Sequence, residues 1–473
     1  MRRLASNRVV VAAALLAGMV LRALFVWRHP PFNGDALVYG ELAHHMLKEH
    51  VYGLIDAGVL KPTLIRLPGY PLFLAACFKV FGDANYLAVL WVQVVVDLAT
   101  CLLLAATAAR LAGRRAGMWV LWLAVLCPFT ANYAAVAVAE CCSLFCVALA
   151  FFALERWVTA WRGGARWVRW AALVGLALMA AVLLRPDQGL LAVAIFPAML
   201  WVGWKGAHLS GDTAAAKMGH PDRGFGWVTP AVLASLLMVL PLTLWAARNW
   251  QVFHVVQPLS PKYANDPGEE VPHGFMRWYR TWAIGFPATV KVYWQYDGDV
   301  ISMNDLPARA FDSAEQRAET AEIVARYNQE QASTPEVDAA FAGLAETRVR
   351  SHPLRYYVAL PVARLLDMWF RPRIEYMRIP LDWWRFDAHP WNSLRAYAMG
   401  ALNVGYLALA CIGFWRWRRA GVVVWSMAAF VVLRCVLLLT IDNSEPRYTM
   451  ECYPVLLLLA GMALAQWRRI SGE

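Results

Sequence analysis

Long apolar runs separated by short basic or turn-rich connections dominate the chain. Seven come first, at 8–27, 86–109, 116–133, 137–152, 168–184, 189–204 and 227–246. About 20 apolar residues are needed to cross the hydrocarbon core as a helix, and these runs approach or reach that length. A hydrophilic stretch occupies 248–351, and three more apolar runs follow at 396–415, 422–439 and 454–466. The pattern predicts an all-α polytopic membrane protein, a bundle of about ten transmembrane helices with an external loop region.

One segment strains that count. Residues 354–370 are apolar enough for a helix, yet Arg364 and Asp367 interrupt them and Arg371 and Arg373 follow. If the segment crossed, the basic cluster at 415–419 would change sides. Keeping that cluster inside predicts an amphipathic helix lying along the outer interface. The expected organisation is an N-terminal transmembrane module over 1–247 with a first external loop at 28–84. An external hydrophilic region over 248–353 comes next, then an interfacial helix and C-terminal transmembrane helices over 354–473. Within the hydrophilic region, helical patterning is expected at 312–331 and 335–351, and the Gly- and Ala-rich 205–226 reads as a flexible inner linker.

Composition agrees. The chain is 60% hydrophobic and 16% charged, where a soluble domain would be about a quarter charged. Tryptophans such as Trp27, Trp119, Trp201 and Trp415 cluster at the ends of runs, where indoles sit at the lipid–water boundary. The net charge of +11 lies in short connections: Arg110, Arg114 and Arg115; Arg156, Arg162, Arg166 and Arg169; Arg416, Arg418 and Arg419; Arg468 and Arg469. Short basic loops mark the cytoplasmic side, so the charge orients the protein and no nucleic-acid partner is expected. The N-terminal run continues past Trp27 without a small-residue cleavage site and reads as a retained signal anchor. Nine cysteines, mostly within apolar runs, show no zinc or disulfide spacing.

Candidate chemistry collects on the outer side. Asp35, after Pro30, Pro31 and an Asn-Gly turn, follows the first span. It is either a general base whose pKa partial burial raises, or the N-cap of the helix it opens. Arg66, before Pro68-Gly69-Tyr70-Pro71, hovers at headgroup depth as a phosphate clamp or a snorkelling side chain. Glu140 stands at the outer start of the fourth span, where an ionised group is costly without a purpose. Arg185 and Asp187 form a short outer turn that is self-satisfied or functional. Arg248 exits the seventh span, and Glu445, Arg447 and Tyr448 precede the last. Arg22, Asp97 and Arg434 read as buried charges, either an ion relay or mutual pairing. His44 and His45 read as surface residues.

Taken together, Asp35, the "RLPGYPLF" stretch with Phe81-Gly82, the "RPDQ" turn and the terminal "PRY…YP" resemble the GT-C glycosyltransferases. That group includes glycosyltransferase family 39, the protein O-mannosyltransferases, and the lipid A aminoarabinose transferases. The resemblance implies a membrane enzyme taking a sugar from a polyprenyl-phosphate donor, with Asp35 at the active site. Protein mannosyltransferases carry an Asp-Glu pair, whereas Ala36 follows Asp35 here, a departure from the protein-acceptor branch.

The expected reaction is an inverting single displacement on the outer face of a cytoplasmic (inner) membrane. Asp35 and Glu140 are the candidate catalytic carboxylates. Arg66, Arg185, Arg447, Tyr448 and Arg248 are the candidate donor-phosphate ligands. The acceptor, a lipid, glycan or protein hydroxyl, is left open, and membrane lipids are the other partners. No metal-ligand cluster or cofactor motif is evident, so neither a metal nor a cofactor is expected. A secondary transporter or flippase is the alternative on the strength of Arg22, Asp97 and Arg434. A polymerase or ligase using a lipid-linked oligosaccharide would share the outer arginines.

Overall fold

The computed structural model describes residues 2–32, 34–209, 225–296 and 298–465. Most of the linker expected at 205–226 falls outside these residues, as do Arg468 and Arg469. Helices are α1 Arg2–Trp27, α2 Asp35–Lys48, α3 Gly69–Phe81, α4 Tyr86–Ala112, α5 Arg114–Val125, α6 Pro128–Tyr133, α7 Glu140–Arg162, α8 Val168–Leu184, α9 Gly189–Leu209 and α10 Thr229–Phe253. The hydrophilic region holds α11 His273–Arg280, α12 Phe286–Ala288, α13 Ala314–Glu330 and α14 Pro335–Ser351. After it come α15 Leu360–Phe370, α16 Pro390–Trp417, α17 Val422–Leu438 and α18 Tyr453–Ala465. The described strands form one hairpin, β1 Gly53–Asp56 with β2 Val59–Pro62.

Among the described residues, seven helices are long and apolar enough to cross a membrane, and α3, α8 and α17 are shorter apolar helices. The run expected as a single span at 116–133 is broken. α5 stops at Val125, and α6 restarts at Pro128, whose ring cannot continue a helix but suits a first turn. Arg22 explains how the break is tolerated. Its guanidinium donates to the Val125 carbonyl at 2.7 Å, satisfying a carbonyl left open by the helix end. The same side chain donates to Asp97 at 2.6 Å. Arg22 and Asp97 therefore pair with each other, tying α1 to α4 and α5. Arg434 takes no part in this pair and belongs to the site described below.

At the centre stands α18, apolar on every side as a fully surrounded helix must be. It packs against α16, α5 and α4, while α7 packs against α4 and α8. The contact with α16 requires Gly413, because a Cβ there would lie 2.0 Å from the Leu459 carbonyl oxygen. Gly69 does the same for the first loop: a Cβ would meet the backbone of Leu183 at 2.5 Å. The turn that follows Arg66 is thereby seated on the end of α8.

The hydrophilic region has its own core, with Phe275, Trp278, Tyr279, Trp282, Tyr327 and Phe341 buried together. Asp338 of α14 accepts from the amides of Gly274 and Phe275, both at 2.9 Å, satisfying the open donors at the start of α11. The segment 354–370 is a π-turn at Arg355–Ala359 followed by α15. Leu354, Val358, Val362, Leu366 and Phe370, every fourth residue, form an exposed apolar stripe. Arg364 on the other side is buried and donates to the carbonyls of Arg280 and Ala283. The charge that interrupts the pattern is thus spent on the hydrophilic region.

Candidate active site

Asp35 is the first residue of α2, after Gly34 at φ 51°, so it is not the N-cap, and its side chain makes no capping bond. Its carboxylate is held between two guanidiniums. Oδ1 accepts from Arg66 at 3.0 Å and Oδ2 from Arg447 at 2.8 Å. All three remain about a quarter exposed. Burial pushes the Asp35 pKa upward, but Arg447 and then Arg66 outweigh it and hold the carboxyl well below the usual range. This corrects the expectation that burial would raise it. Asp35 is ionised here and, so clamped, a weak base.

From Arg447 the charges alternate inward. Arg447 stands 4.0 Å from Glu140, and Glu140 accepts from Arg185 at 2.8 Å. Arg185 also reaches Asp187 at 3.3 Å and Glu451 at 3.1 Å. Arg434 closes the series, donating to Asp187 at 2.7 Å and Glu451 at 2.9 Å. The Arg185–Asp187 turn is therefore not self-satisfied but wired into three other elements. Glu445 flanks Arg447 and accepts from the Tyr448 hydroxyl at 2.8 Å. The Tyr448 ring lies under Arg185 and Arg447, with centroids 5.9 and 5.7 Å away. Its hydroxyl is thus committed to Glu445, and its face holds the two arginines in place.

These groups come from the start of α2, just past the end of α1, the loop after β2, the start of α7, the end of α8, the end of α17 and the turn before α18. In an alternating bundle those positions share one end. They border a chamber of about 680 Å³ lined by Asp35, Arg66, Arg447, Glu445, Tyr133, Glu375 and Tyr376, with Phe286 and Trp294 from the hydrophilic region. Glu140 and Arg185 stand behind Arg447 rather than in the wall.

Arg248 is not among them. It donates to the carbonyls of Thr63 at 2.8 Å and Tyr52 at 2.9 Å, and it stacks on Trp245 and Tyr52. Tyr52 in turn donates to the Arg66 carbonyl at 3.0 Å. Arg248 supports the loop that carries Arg66. His45, expected at the surface, is buried and pairs with the Gly53 carbonyl at 2.9 Å, while His44 meets Asp83 at 2.7 Å.

The sequence reading missed Glu451, Glu375, Tyr376, Tyr133, Phe286 and Trp294 and placed Arg434 elsewhere. A carboxylate within an apolar run was a usable signal for Glu451. Nothing local marks the others. The segment carrying Glu375 is fixed from both sides: Asn132 donates to the Glu375 carbonyl at 2.6 Å, and Arg373 to the Pro446 carbonyl at 2.8 Å. Tyr376 and Arg378 adopt left-handed backbone, φ 61° and 54°, a strain that clusters at functional sites. Among the described residues, no group of three or more His, Cys, Asp or Glu is placed to hold a metal.

Residues 61–215 match the model of the dolichyl-phosphate-mannose-protein mannosyltransferase family. That segment contains Arg66, Glu140 and Arg185 but not Asp35 or Arg447. No curated protein matches the chain. Among solved structures, the Archaeoglobus fulgidus oligosaccharyltransferase tethered with an acceptor peptide is 12% identical. It superposes over 96% of this chain and 49% of its own, with a TM-score of 0.51. The same archaeal enzyme, AglB, with an inhibitory peptide and a dolichol-phosphate gives 11%, 98%, 51% and 0.50. ArnT from Cupriavidus metallidurans bound to undecaprenyl phosphate is 15% identical over 99% of this chain and 79% of its own, with a TM-score of 0.38. The chain thus spans about half the length of the archaeal chains, and its fold is that of the archaeal oligosaccharyltransferase over that length.

Proposed function

We propose that this multi-pass membrane protein is a glycosyltransferase moving one sugar from a polyprenyl-phosphate donor to a hydroxyl acceptor, with inversion at the anomeric carbon. The observation that carries the reading is the clamp of Arg66 and Arg447 on Asp35 in the wall of one large chamber. Guanidinium pairs suit phosphate, and a carboxylate between them suits proton removal from an acceptor. The dolichol-phosphate bound in the archaeal structure names the donor class to test first.

Asp35 takes the proton of the acceptor hydroxyl as that oxygen attacks the anomeric carbon. The bond from that carbon to the phosphate oxygen breaks, and its electron pair leaves with the polyprenyl phosphate. No acid is needed for so weakly basic a leaving group, and the arginines stabilise its growing charge. Acceptor and phosphate must stand on opposite faces of the carbon, so a guanidinium that takes the phosphate turns away from Asp35. Losing one cation raises the carboxylate's basicity at the moment the donor is in place.

Arg185 and Glu140 hold Arg447 from behind, Tyr448 lies under it, and Arg248 fixes the loop of Arg66. The basic connections at Arg110–Arg115, Arg156–Arg169 and Arg416–Arg419 stand at the opposite end of the helices. That supports an active site on the outer face of a cytoplasmic membrane. The test is release of sugar from radiolabelled polyprenyl-phosphate monosaccharides by purified protein, wild type beside Asp35→Asn. Absence of any donor cleavage by folded wild-type protein would sink the reading.

A further inference from the structure

Trp294 is unlike Trp278 and Trp282, its neighbours in the hydrophilic region. Trp278 and Trp282 are 0% and 1% exposed, within the core of that region, whereas Trp294 is 49% exposed and lines the chamber of Asp35. Exposing an indole forfeits burial that the neighbouring core could have supplied. The ring is also braced. Phe286 meets it edge-to-face at 5.6 Å, and Arg371 lies 5.7 Å over Phe286. Between the two rings runs a π-turn, Thr289–Tyr293, a geometry frequent at functional sites. Thr289 donates to the Ser444 carbonyl at 3.1 Å, tying the turn to the loop just before Arg447.

Phe286, Glu375 and Tyr376 line a second chamber of about 270 Å³ as well as the first. Glu375 thus stands on the partition, and one of its carboxylate oxygens, Oε1, is buried there without a hydrogen-bond partner among the described residues. An aromatic face beside a polar rim suits a saccharide: a pyranose presents flat C–H faces to a ring and a belt of hydroxyls to the polar groups around it.

We propose that Trp294, braced by Phe286, is the acceptor platform of the site, and that the acceptor is a saccharide whose ring stacks on the indole while a hydroxyl meets Glu375. The inference rests on the transferase reading above and names the acceptor class within it. The donor is held through its phosphate by residues outside the hydrophilic region. A platform contributed by that region leaves the acceptor to approach from the other component of the site.

The experiment supplies purified protein with an intact polyprenyl-phosphate monosaccharide and the glycans, lipids and proteins extracted from its own cells' membranes. The product is mapped by mass spectrometry, and donor hydrolysis to free sugar is followed in parallel. The new glycosidic bond is expected on a sugar ring. Trp294→Ala should raise the acceptor KM about tenfold or more, a larger change than in donor KM or donor hydrolysis, and Trp294→Phe should recover most of the loss. A bond formed to a peptide side chain or a non-sugar lipid hydroxyl would overturn the acceptor class. So would donor hydrolysis without transfer to any fraction. An equal loss of hydrolysis and transfer in Trp294→Ala would place the ring on the donor or in the fold, against the proposal. Wild-type protein that neither hydrolyses nor transfers would fail the transferase reading itself, a separate result.

Discussion

Asp35 and Arg447 lie 412 positions apart in the chain and share a hydrogen bond of 2.8 Å. The contact joins the first loop to the turn before the last helix, so neither half of the protein holds the site alone. With Asp35 as the base, Asp35→Asn should lower transfer by roughly 100- to 10,000-fold, the span of general-base contributions. The amide keeps the size of the side chain and an acceptor oxygen for one arginine. Stability to thermal unfolding in detergent should fall by the part that the carboxylate's charge contributes while the fold is kept, and a variant that is both folded and active would move the base elsewhere.

The two guanidiniums also set the pH response. The Asp35 pKa is depressed in the folded protein, so the interaction stabilises the fold above the unfolded value of about 3.9 and is lost as pH falls through the folded value. The acid limb that Asp35 contributes to kcat/KM should lie below about pH 3.9. Arg66→Gln removes one of the two cations without touching Asp35 and should move that limb upward. It should also lower kcat/KM at neutral pH by roughly 100-fold or more, as loss of one charge-stabilising donor does. A limb that stays in place in Arg66→Gln would mean that another group sets it.

The metal expectation is directly checkable. Transfer should be unchanged by a chelator if Arg66 and Arg447, both bonded to Asp35, supply the positive charge that the leaving phosphate needs. Activity lost on chelation and restored by one divalent ion would reverse this.

What could be read from the chain divides along physical lines. Helices were legible because apolar periodicity and length are local properties, and α8 and α14 fall where the pattern put them. The break between α5 and α6 was not, because it depends on Arg22 arriving from α1 to satisfy Val125. Asp35, Arg66, Glu140, Arg185 and Arg447 stood out as charges at the ends of apolar runs, where charge is costly. Their pairing was invisible: whether Asp35 would be raised by burial or lowered by arginines depends on contacts across 31 and 412 residues. Glu375 and Trp294 gave no signal, since an acid after Arg-Ile and a Trp in an aromatic loop look ordinary until folding sets them beside one chamber.

Arg248 separates clamp from support. Its guanidinium is spent on the carbonyls of Thr63 and Tyr52, and it lies outside the chamber. Arg248→Ala should cost roughly 1–3 kcal/mol of stability through the lost charge-assisted bonds. Affinity for undecaprenyl phosphate should stay within about threefold of wild type, whereas Arg66→Gln should lose tenfold or more if one charged contact is worth about 1.4 kcal/mol or above. A large loss of affinity in Arg248→Ala at unchanged stability would restore it to the phosphate site.

The pair of Arg22 and Asp97 distinguishes a transferase from a transporter. Both side chains are fully buried, and the arginine is spent on Asp97, Gly18 and Val125. Removing one partner leaves an uncompensated charge in the bundle, so Asp97→Leu should destabilise by about 3–5 kcal/mol. Replacing both with apolar residues of similar size often restores what a single change loses. The double variant Arg22→Met, Asp97→Leu should therefore recover part of the stability, short of wild type because the Val125 carbonyl loses its donor, and sugar transfer with it. A relay needs its titratable groups whatever the stability, so under a transport mechanism the double variant would fold and stay inactive. Unfolding temperature and transfer rate measured on the two single variants and the double decide between these outcomes.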